Sequence, residues 1–224
     1  MKNFVLSALF VISLLGTACN NVNEKSSKEE KPSRVILKQT DGVYRLFVNG
    51  EPFFVKGAGV NTGDIALLAD HGANAMRTWG SSEEALDAAQ DNGLMVMLGL
   101  PVAKERHGFD YNDEEAVKEQ FEKIKPLVLS MKDHPALLGW GIGNELNLQY
   151  TNLKVWDAVE EIAAYIHEVD GKHPVTTMLA GIGKTEVDYI REHCPSIDFI
   201  SIQLYGSIEK LPELIRKAGY TGPY

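Results

Sequence analysis

The stretch that decides the fold runs from Ala136 to Glu145 and reads Ala-Leu-Leu-Gly-Trp-Gly-Ile-Gly-Asn-Glu. It begins with an unbroken run of apolar residues and glycine, and it ends in an amide and a carboxylate side by side, Asn144 and Glu145. A short continuous apolar run is typical of a parallel strand that is buried on both faces. We therefore predict a strand over 136–143 that delivers Glu145 at its C-terminal tip, where parallel α/β barrels carry their chemistry.

On both sides of this strand, short apolar segments alternate with amphipathic helices, as in a chain of strand–helix units. The predicted strands are 53–60, 73–78, 94–100, 136–143, 174–179 and 197–204, and the predicted helices are 63–70, 82–91, 114–132, 153–169, 186–193 and 208–217. Before them, the turn signals Asp41-Gly42 and Asn49-Gly50 separate apolar segments and predict tight antiparallel hairpins.

The predicted fold is a (β/α)8 TIM barrel of the α/β class, incomplete, with about six strand–helix units and an N-terminal β-hairpin. A closed barrel has eight units and about 250 residues, so we expect the chain to be truncated before a seventh strand. A doubly wound sheet is the rival fold. It is disfavoured because the segment 57–63 has glycines without the G-x-G-x-x-G spacing of a phosphate loop.

Several polar and aromatic residues stand at predicted strand ends, which meet at one mouth of a barrel. They are Asn61, Arg77, Trp79, Asn144, Glu145, Gln203 and Tyr205. Amides and carboxylates suit the hydroxyl rim of a sugar, and a Trp ring suits its C–H face. By position alone, Glu145 could instead be a helix N-terminal charge, Arg77 a structural ion-pair partner, and Tyr205 a turn residue.

The sequence resembles the retaining glycoside hydrolases of clan A, most closely the family 2 catalytic barrel. The resemblance is carried by Asn144-Glu145, by Met76-Arg77-Thr78-Trp79, by Tyr205, and by the opening segments 47–53 and 55–57. It implies that Glu145 is the general acid/base and that Asn144 binds the sugar 2-hydroxyl. It also implies that Arg77 and Tyr205 hold the nucleophile's carboxylate.

Trp79 is a candidate sugar platform, and Trp140 is either a second platform or a core residue. Asn61 is a substrate-binding candidate from its strand-end position. The family's nucleophile is a Glu at the end of the seventh strand, beyond Tyr224, so we expect this chain alone to be inactive. A non-catalytic glycan-binding surface lipoprotein is the alternative function, and a product without a stable fold is a third possibility.

Other charged residues are predicted to be structural. Glu105 and Asp110 follow the third strand in a loop with Arg106 and His107, and they are read as subsite residues or, in preference, as solvated charges. Gln203 is assigned a structural role, and His173 a surface or turn position.

The N-terminal segment is predicted to be a bacterial lipoprotein signal over 1–19, with Cys19 lipidated after cleavage. An ordinary secretory signal is the alternative. The polar segment 20–33 is predicted to be a disordered tether, and 34–224 the glycosidase domain. These features place the protein at the bacterial cell envelope, lipid-anchored in the periplasm or on the outer membrane surface.

The composition of the chain limits the kinds of partner that it is expected to bind. The chain has 224 residues and a formal net charge of −9, which argues against nucleic-acid binding. No His/Cys/Asp cluster has metal-ligand spacing, so neither a metal nor another cofactor is predicted. Cys194 is expected to be a packed core residue. The expected partner is an oligosaccharide or polysaccharide substrate, and the sequence leaves the oligomeric state open.

Overall fold

The computed structural model describes residues 31–60 and 63–224. The predicted signal, the lipidation site at Cys19, most of the tether and the substrate-binding candidate Asn61 lie outside these ranges.

The described chain begins with an antiparallel sheet of three strands. They are β1 (Val35–Thr40), β2 (Val43–Val48) and β3 (Glu51–Phe53), paired in that order. Asp41 and Gly42 both have positive φ in the first turn, and Asn49 and Gly50 do so in the second. Left-handed backbone at both central residues is the geometry of a type I′ hairpin turn, and it confirms the predicted hairpins.

A second sheet holds six parallel strands in chain order. They are β4 (Gly57–Gly59), β5 (Ala75–Arg77), β6 (Met95–Leu100), β7 (Leu137–Ile142), β8 (Val175–Ala180) and β9 (Phe199–Gln203). The helices between and after them are α1 (Ile65–Asp70), α2 (Glu83–Asp91), α3 (Glu114–Met131), α4 (Lys154–Val169), α5 (Lys184–His193) and α6 (Leu211–Ala218). The sheet is curled into part of a TIM barrel, as predicted.

The first predicted strand, 53–60, is wrong in its extent. Phe53 pairs with Leu46 in the antiparallel sheet, and the parallel strand begins only at Gly57. The apolar run 53–55 therefore lies between the end of the antiparallel sheet and the start of the parallel one. Periodicity within a single apolar run does not reveal such a boundary.

Strand β7 lies at the centre of the core, and all six of its residues are buried. Its glycines permit close packing on one face, because a Cβ on Gly141 would stand 2.2 Å from Cε of Met178. Trp140 points to the helix layer and is fully buried. It is therefore a core residue and not a sugar platform.

The inner face of the curled sheet is apolar. It borders a cavity of about 490 Å³ whose walls include residues from both sheets: Leu37, Tyr44, Leu46, Met97, Leu138 and Phe199. The N-terminal hairpin thus packs near one end of the lumen. Among the described residues, no helix is both long enough and apolar enough to cross a membrane.

A buried polar network joins the start of the domain to the N-terminal end of β7. Ser33, assigned to the end of the tether from sequence, is fully buried and donates its hydroxyl proton to the carbonyl of Leu137 at 2.6 Å. Its Oγ lies 2.9 Å from Nε2 of His173, and Nδ1 of His173 lies 2.8 Å from Asp170. His173 lies in the bend before β8, as the turn half of its prediction requires, but the surface half is wrong because its ring is buried.

Asp170 is the acceptor at the end of this network. It accepts from Nε1 of Trp140 at 2.7 Å and lies within hydrogen-bond distance of Nδ1 of His173. Burial raises the pKa of Asp170, but hydrogen bonds from His173 and Trp140, with the His173 charge, outweigh it and hold the pKa below its ordinary 3.8.

Replacing Asp170→Asn should lower the free energy of unfolding at pH 7 by about 3 kcal/mol, because it removes the charged acceptor of two buried hydrogen bonds, to Trp140 and to His173. Urea unfolding measures the difference, with Asp188→Asn in an exposed pair as the control. Since the folded pKa of Asp170 is depressed, the contribution is present above pH 3.8 and is lost as the pH falls through the folded value. An unchanged variant at pH 7 would contradict this stabilising role of Asp170.

Candidate active site

Three strand tips converge on one side chain, that of Asn144. Arg77 ends β5, Gln203 ends β9, and Asn144 follows β7 by two residues. Nη2 of Arg77 donates to Oδ1 of Asn144 at 2.6 Å, and Nε2 of Gln203 donates to the same oxygen at 2.8 Å. The C-terminal edge of the sheet thus brings these three residues together, as the barrel prediction requires.

The two donors fix the orientation of the Asn144 amide. Because Oδ1 accepts from both, the assignment of oxygen and nitrogen in the amide follows from the network. Within the described ranges no residue accepts from Nδ2, so the NH₂ group remains available as a donor at the mouth. Such a group suits a sugar hydroxyl.

Glu145 lies beside Asn144 in a left-handed backbone conformation, with φ of 53°. This conformation is uncommon for a residue with a Cβ and often occurs at functional sites. The Glu145 amide donates to the carbonyl of Met178 at 2.8 Å, and only 14% of the side chain is exposed. Glu145 therefore does not point into bulk solvent. It is not a helix N-terminal charge either, because α4 begins at Lys154.

Arg77 lies between the amide and an aromatic ring. Its guanidinium carbon stands 4.6 Å from the ring centroid of Trp79. Burial lowers the pKa of Arg77, while the charges of Tyr205 and Glu145 raise it in part. In residues 31–60 and 63–224, no carboxylate forms an ion pair with Arg77, and its buried Nε has no partner. The positive charge of Arg77 is therefore not neutralised by any described carboxylate and remains available at the site.

The two aromatic candidates, Trp79 and Tyr205, differ in their exposure and in their contacts. Trp79 is 37% exposed, and its ring lies over Gly59, where an added Cβ would come within 2.5 Å of the ring. Tyr205 is 81% exposed, and its hydroxyl donates to Oε1 of Gln203 at 3.1 Å. Tyr205 is thereby connected to Asn144 through Gln203.

The loop after β6 holds the loop after β7 at two points. Arg106 donates to the main-chain carbonyl of Glu145, and its Nη2 lies 3.8 Å from the Glu145 carboxylate. The adjacent Glu105 accepts from the backbone amides of Thr151 at 2.8 Å and Asn152 at 3.0 Å. Hydrogen bonds from Thr151 and Asn152 lower the pKa of Glu105. We call Glu105 and Arg106 the loop clamp.

Sequence reasoning missed three of these residues. Gln203 was assigned a structural role, yet it contacts Asn144 directly. Glu105 was read in preference as a solvated loop charge, but it also accepts specific hydrogen bonds from the β7 loop. No role was assigned to Arg106, which donates to the Glu145 carbonyl. The position of Gln203 at a strand end was the signal available for it. For Glu105 and Arg106, no sequence signal indicates which loop they meet.

The arrangement is of the kind that suits sugar binding at the mouth of an α/β barrel. It combines a parallel barrel sheet, an amide–carboxylate pair at the C-terminal edge, a cation and an exposed Trp. No group of three or more metal-binding side chains occurs among the described residues.

Comparisons with known proteins agree with this class. The model for the TIM-barrel domain of glycosyl hydrolases family 2 matches residues 55–218. The chain therefore belongs to glycosyl hydrolase family 2. An exo-β-D-glucosaminidase from Arthroderma benhamiae is 32% identical over 133 aligned positions, and the match covers 48% of this chain and 15% of the relative.

Solved structures share the fold. A β-D-glucuronidase from Dictyoglomus thermophilum matches with a TM-score of 0.65 at 18% identity, over 85% of this chain and 38% of its own. A β-glucuronidase from Bacteroides uniformis matches with a TM-score of 0.67 at 15% identity, over 83% of this chain and 26% of its own. The chain thus spans well under half the length of these relatives.

Removing the Glu105 half of the loop clamp should release the β7 loop. In Glu105→Ala the amides of Thr151 and Asn152 lose their acceptor, and we expect their hydrogen exchange to accelerate about tenfold. Exchange followed by NMR measures this residue by residue. Glu115→Ala, at an exposed α3 position, is the matched control, and equal exchange in both variants would contradict the clamp.

Proposed function

We propose that the protein is a retaining glycoside hydrolase acting on a β-linked glycan, with Glu145 as its general acid/base. The observation that carries the proposal is the pairing of Glu145 with an Asn144 amide whose NH₂ group is left free by two donors on its oxygen. Membership of family 2 supports the glycosidase class. The bond stereochemistry, the linkage and the residue roles belong to the proposal.

The chemistry assigns each side chain a part. Protonated Glu145 gives its proton to the glycosidic oxygen as a nucleophilic carboxylate bonds to the anomeric carbon and the C–O bond breaks. Glu145, now ionised, then takes a proton from water as that water attacks the anomeric carbon and frees the nucleophile. The Asn144 NH₂ group donates to the sugar 2-hydroxyl, a contact that strengthens in the transition state.

The nucleophile is proposed to be a Glu on a further strand beyond Tyr224, about 5 to 5.5 Å from Glu145 as retention requires. The guanidinium of Arg77, free of any described carboxylate, would orient it together with the Tyr205 hydroxyl. Trp79 would stack on the sugar. Under this proposal the 224-residue chain does not turn over substrate by itself, and Cys19 anchors it to the cell envelope.

Measurements of glycoside turnover test the roles proposed for Glu145 and for the nucleophile. The 224-residue chain should leave aryl β-glycosides intact, whereas a form extended through two more strand–helix units should hydrolyse them. In that form Glu145→Gln should lower kcat/KM about 10³-fold, since general acid–base catalysis contributes about 10²–10⁴. Glu114→Gln, with an exposed carboxylate at the start of α3, is the control. Equal turnover by the short chain would refute the assignment of the nucleophile, and unchanged turnover in Glu145→Gln would refute that of the acid/base.

Binding tests the Asn144 role in the 224-residue chain itself. Methyl β-glycosides should bind more tightly than their 2-deoxy analogues, by about fivefold for one hydrogen bond. Asn144→Ala should abolish this difference, as calorimetric titration would measure. Sugar binding without turnover in any extended form would instead favour the glycan-binding alternative.

A further inference from the structure

The N-terminal three-stranded sheet has one face toward the barrel and one face toward solvent. Side chains along its strands point alternately to the two sides, and Leu37, Tyr44 and Leu46 share the side that borders the lumen cavity. The opposite side, which we call the outer face, is formed mainly by Ile36, Lys38, Val43, Arg45, Phe47 and Pro52. The outer face is therefore directed away from the barrel.

Two cations stand opposite each other on the outer face. Lys38 in β1 is the direct cross-strand partner of Arg45 in β2, and both residues are exposed. Neither side chain forms an ion pair or a hydrogen bond with any residue of 31–60 or 63–224. Like charges directly opposite each other destabilise an antiparallel pair. A lysine on an edge strand can prevent wrong strand pairing, but Arg45 lies in the central strand, so edge protection does not account for the pair.

The positive charge is concentrated in this part of the chain. Residues 31–56 contain five lysine or arginine residues and two carboxylates, whereas the whole chain has a net charge of −9. No paired position of the outer face holds a carboxylate. The outer face is thus a cationic surface on an acidic protein, and its charge is complementary to an anionic partner.

Exposed apolar side chains lie beside the two cations. Val43 is 55% exposed on the outer face, and Phe54, which directly follows β3, is 81% exposed. Basic residues interleaved with exposed apolar ones are typical of protein surfaces that bind an anionic bilayer. A soluble anion would engage the cations and leave the apolar side chains in water, so this composition favours a lipid surface.

The chain enters the domain next to this sheet. Ser33 is fastened by its hydrogen bond to Leu137, and β1 begins two residues later. The segment 20–33 has 14 residues and spans about 50 Å at most. An anchor at Cys19 therefore holds this end of the barrel within that distance of a bilayer.

We propose that the outer face docks on the surface of an anionic lipid bilayer, with Lys38 and Arg45 at the headgroups and Val43 and Phe54 in the interfacial layer. The inference rests on the anchoring at Cys19 in the proposed function, and it adds the surface that meets the membrane.

Docking through the outer face orients the candidate active site. Val35, on the inner side of the sheet, packs with Leu138, the second residue of β7. The sheet therefore lies at the N-terminal end of the parallel strands, opposite the tips that carry Asn144 and Glu145. The docked domain directs these tips away from the bilayer, where a glycan polymer can reach them.

Hydrogen exchange of the 224-residue chain, followed by mass spectrometry, tests the docking. The chain is compared in solution, on phosphatidylcholine vesicles and on vesicles that contain phosphatidylglycerol, at low ionic strength. We expect the phosphatidylglycerol vesicles alone to slow exchange in residues 36–47, and to leave exchange in the mouth loop 144–152 unchanged. The degree of protection gives the ratio of docked to undocked protein.

Variants assign the docking to the outer face. The double variant Lys38→Gln/Arg45→Gln should lower the ratio of docked to undocked protein about 30-fold, as two basic residues near an anionic surface provide. Phe54→Ser should lower it about tenfold, through the loss of apolar burial. Lys118→Gln/Lys154→Gln, which removes the same charge from exposed positions on α3 and α4, should dock as wild type.

The stability of the soluble protein separates lost docking from unfolding. Because Lys38→Gln/Arg45→Gln removes a like-charge pair, its melting temperature in solution should not fall. Equal exchange on the two kinds of vesicle, or protection that persists in this variant, overturns the docking surface. Protection that grows with protein concentration without lipid identifies a second copy as the occupant and also overturns it. Glycoside turnover is measured in solution, so the proposed activity stands or fails separately.

Discussion

The site depends on two hydrogen bonds that converge on one oxygen, Oδ1 of Asn144. Arg77 and Gln203 come from strands on either side of β7, and neither could reach this atom unless the sheet curled. The curl brings the tips of β5, β7 and β9 together, and the bonds in turn fix the register of those tips. The same pair of donors turns the Asn144 amide, which leaves its NH₂ group and the neighbouring Glu145 carboxylate at the mouth.

The sequence predicted the features that are local. Apolar runs, glycine stops and hairpin turns are encoded within a few residues, so the parallel strands and most helices could be placed, and the strand-end rule then selected Arg77, Asn144 and Glu145. Contacts between loops depend on the full three-dimensional path. That is why the loop clamp and the Gln203 contact were missed, and why the buried position of His173 could not be seen beside Pro174.

Charge is distributed differently at the two ends of the barrel. At the N-terminal end, Asp170 and His173 are hydrogen-bonded out of reach of water and hold the chain at Ser33. At the C-terminal end, cations outnumber Glu145, and the loop clamp holds its backbone while the carboxylate keeps some solvent contact. One end is suited to stability and the other to an incoming ligand, a division that is common in barrel enzymes.

The Ser33–His173–Asp170 contacts have the order and spacing of the relay that activates serine in esterases and proteases. Here the hydroxyl proton is donated to a peptide carbonyl, and the buried position of all three residues admits no acyl group. Ser33 is consequently a poor nucleophile, and organophosphorus reagents that label hydrolytic serines should leave the folded protein untouched. The geometry of the relay does not make Ser33 reactive, because its hydroxyl proton is already donated to the carbonyl of Leu137.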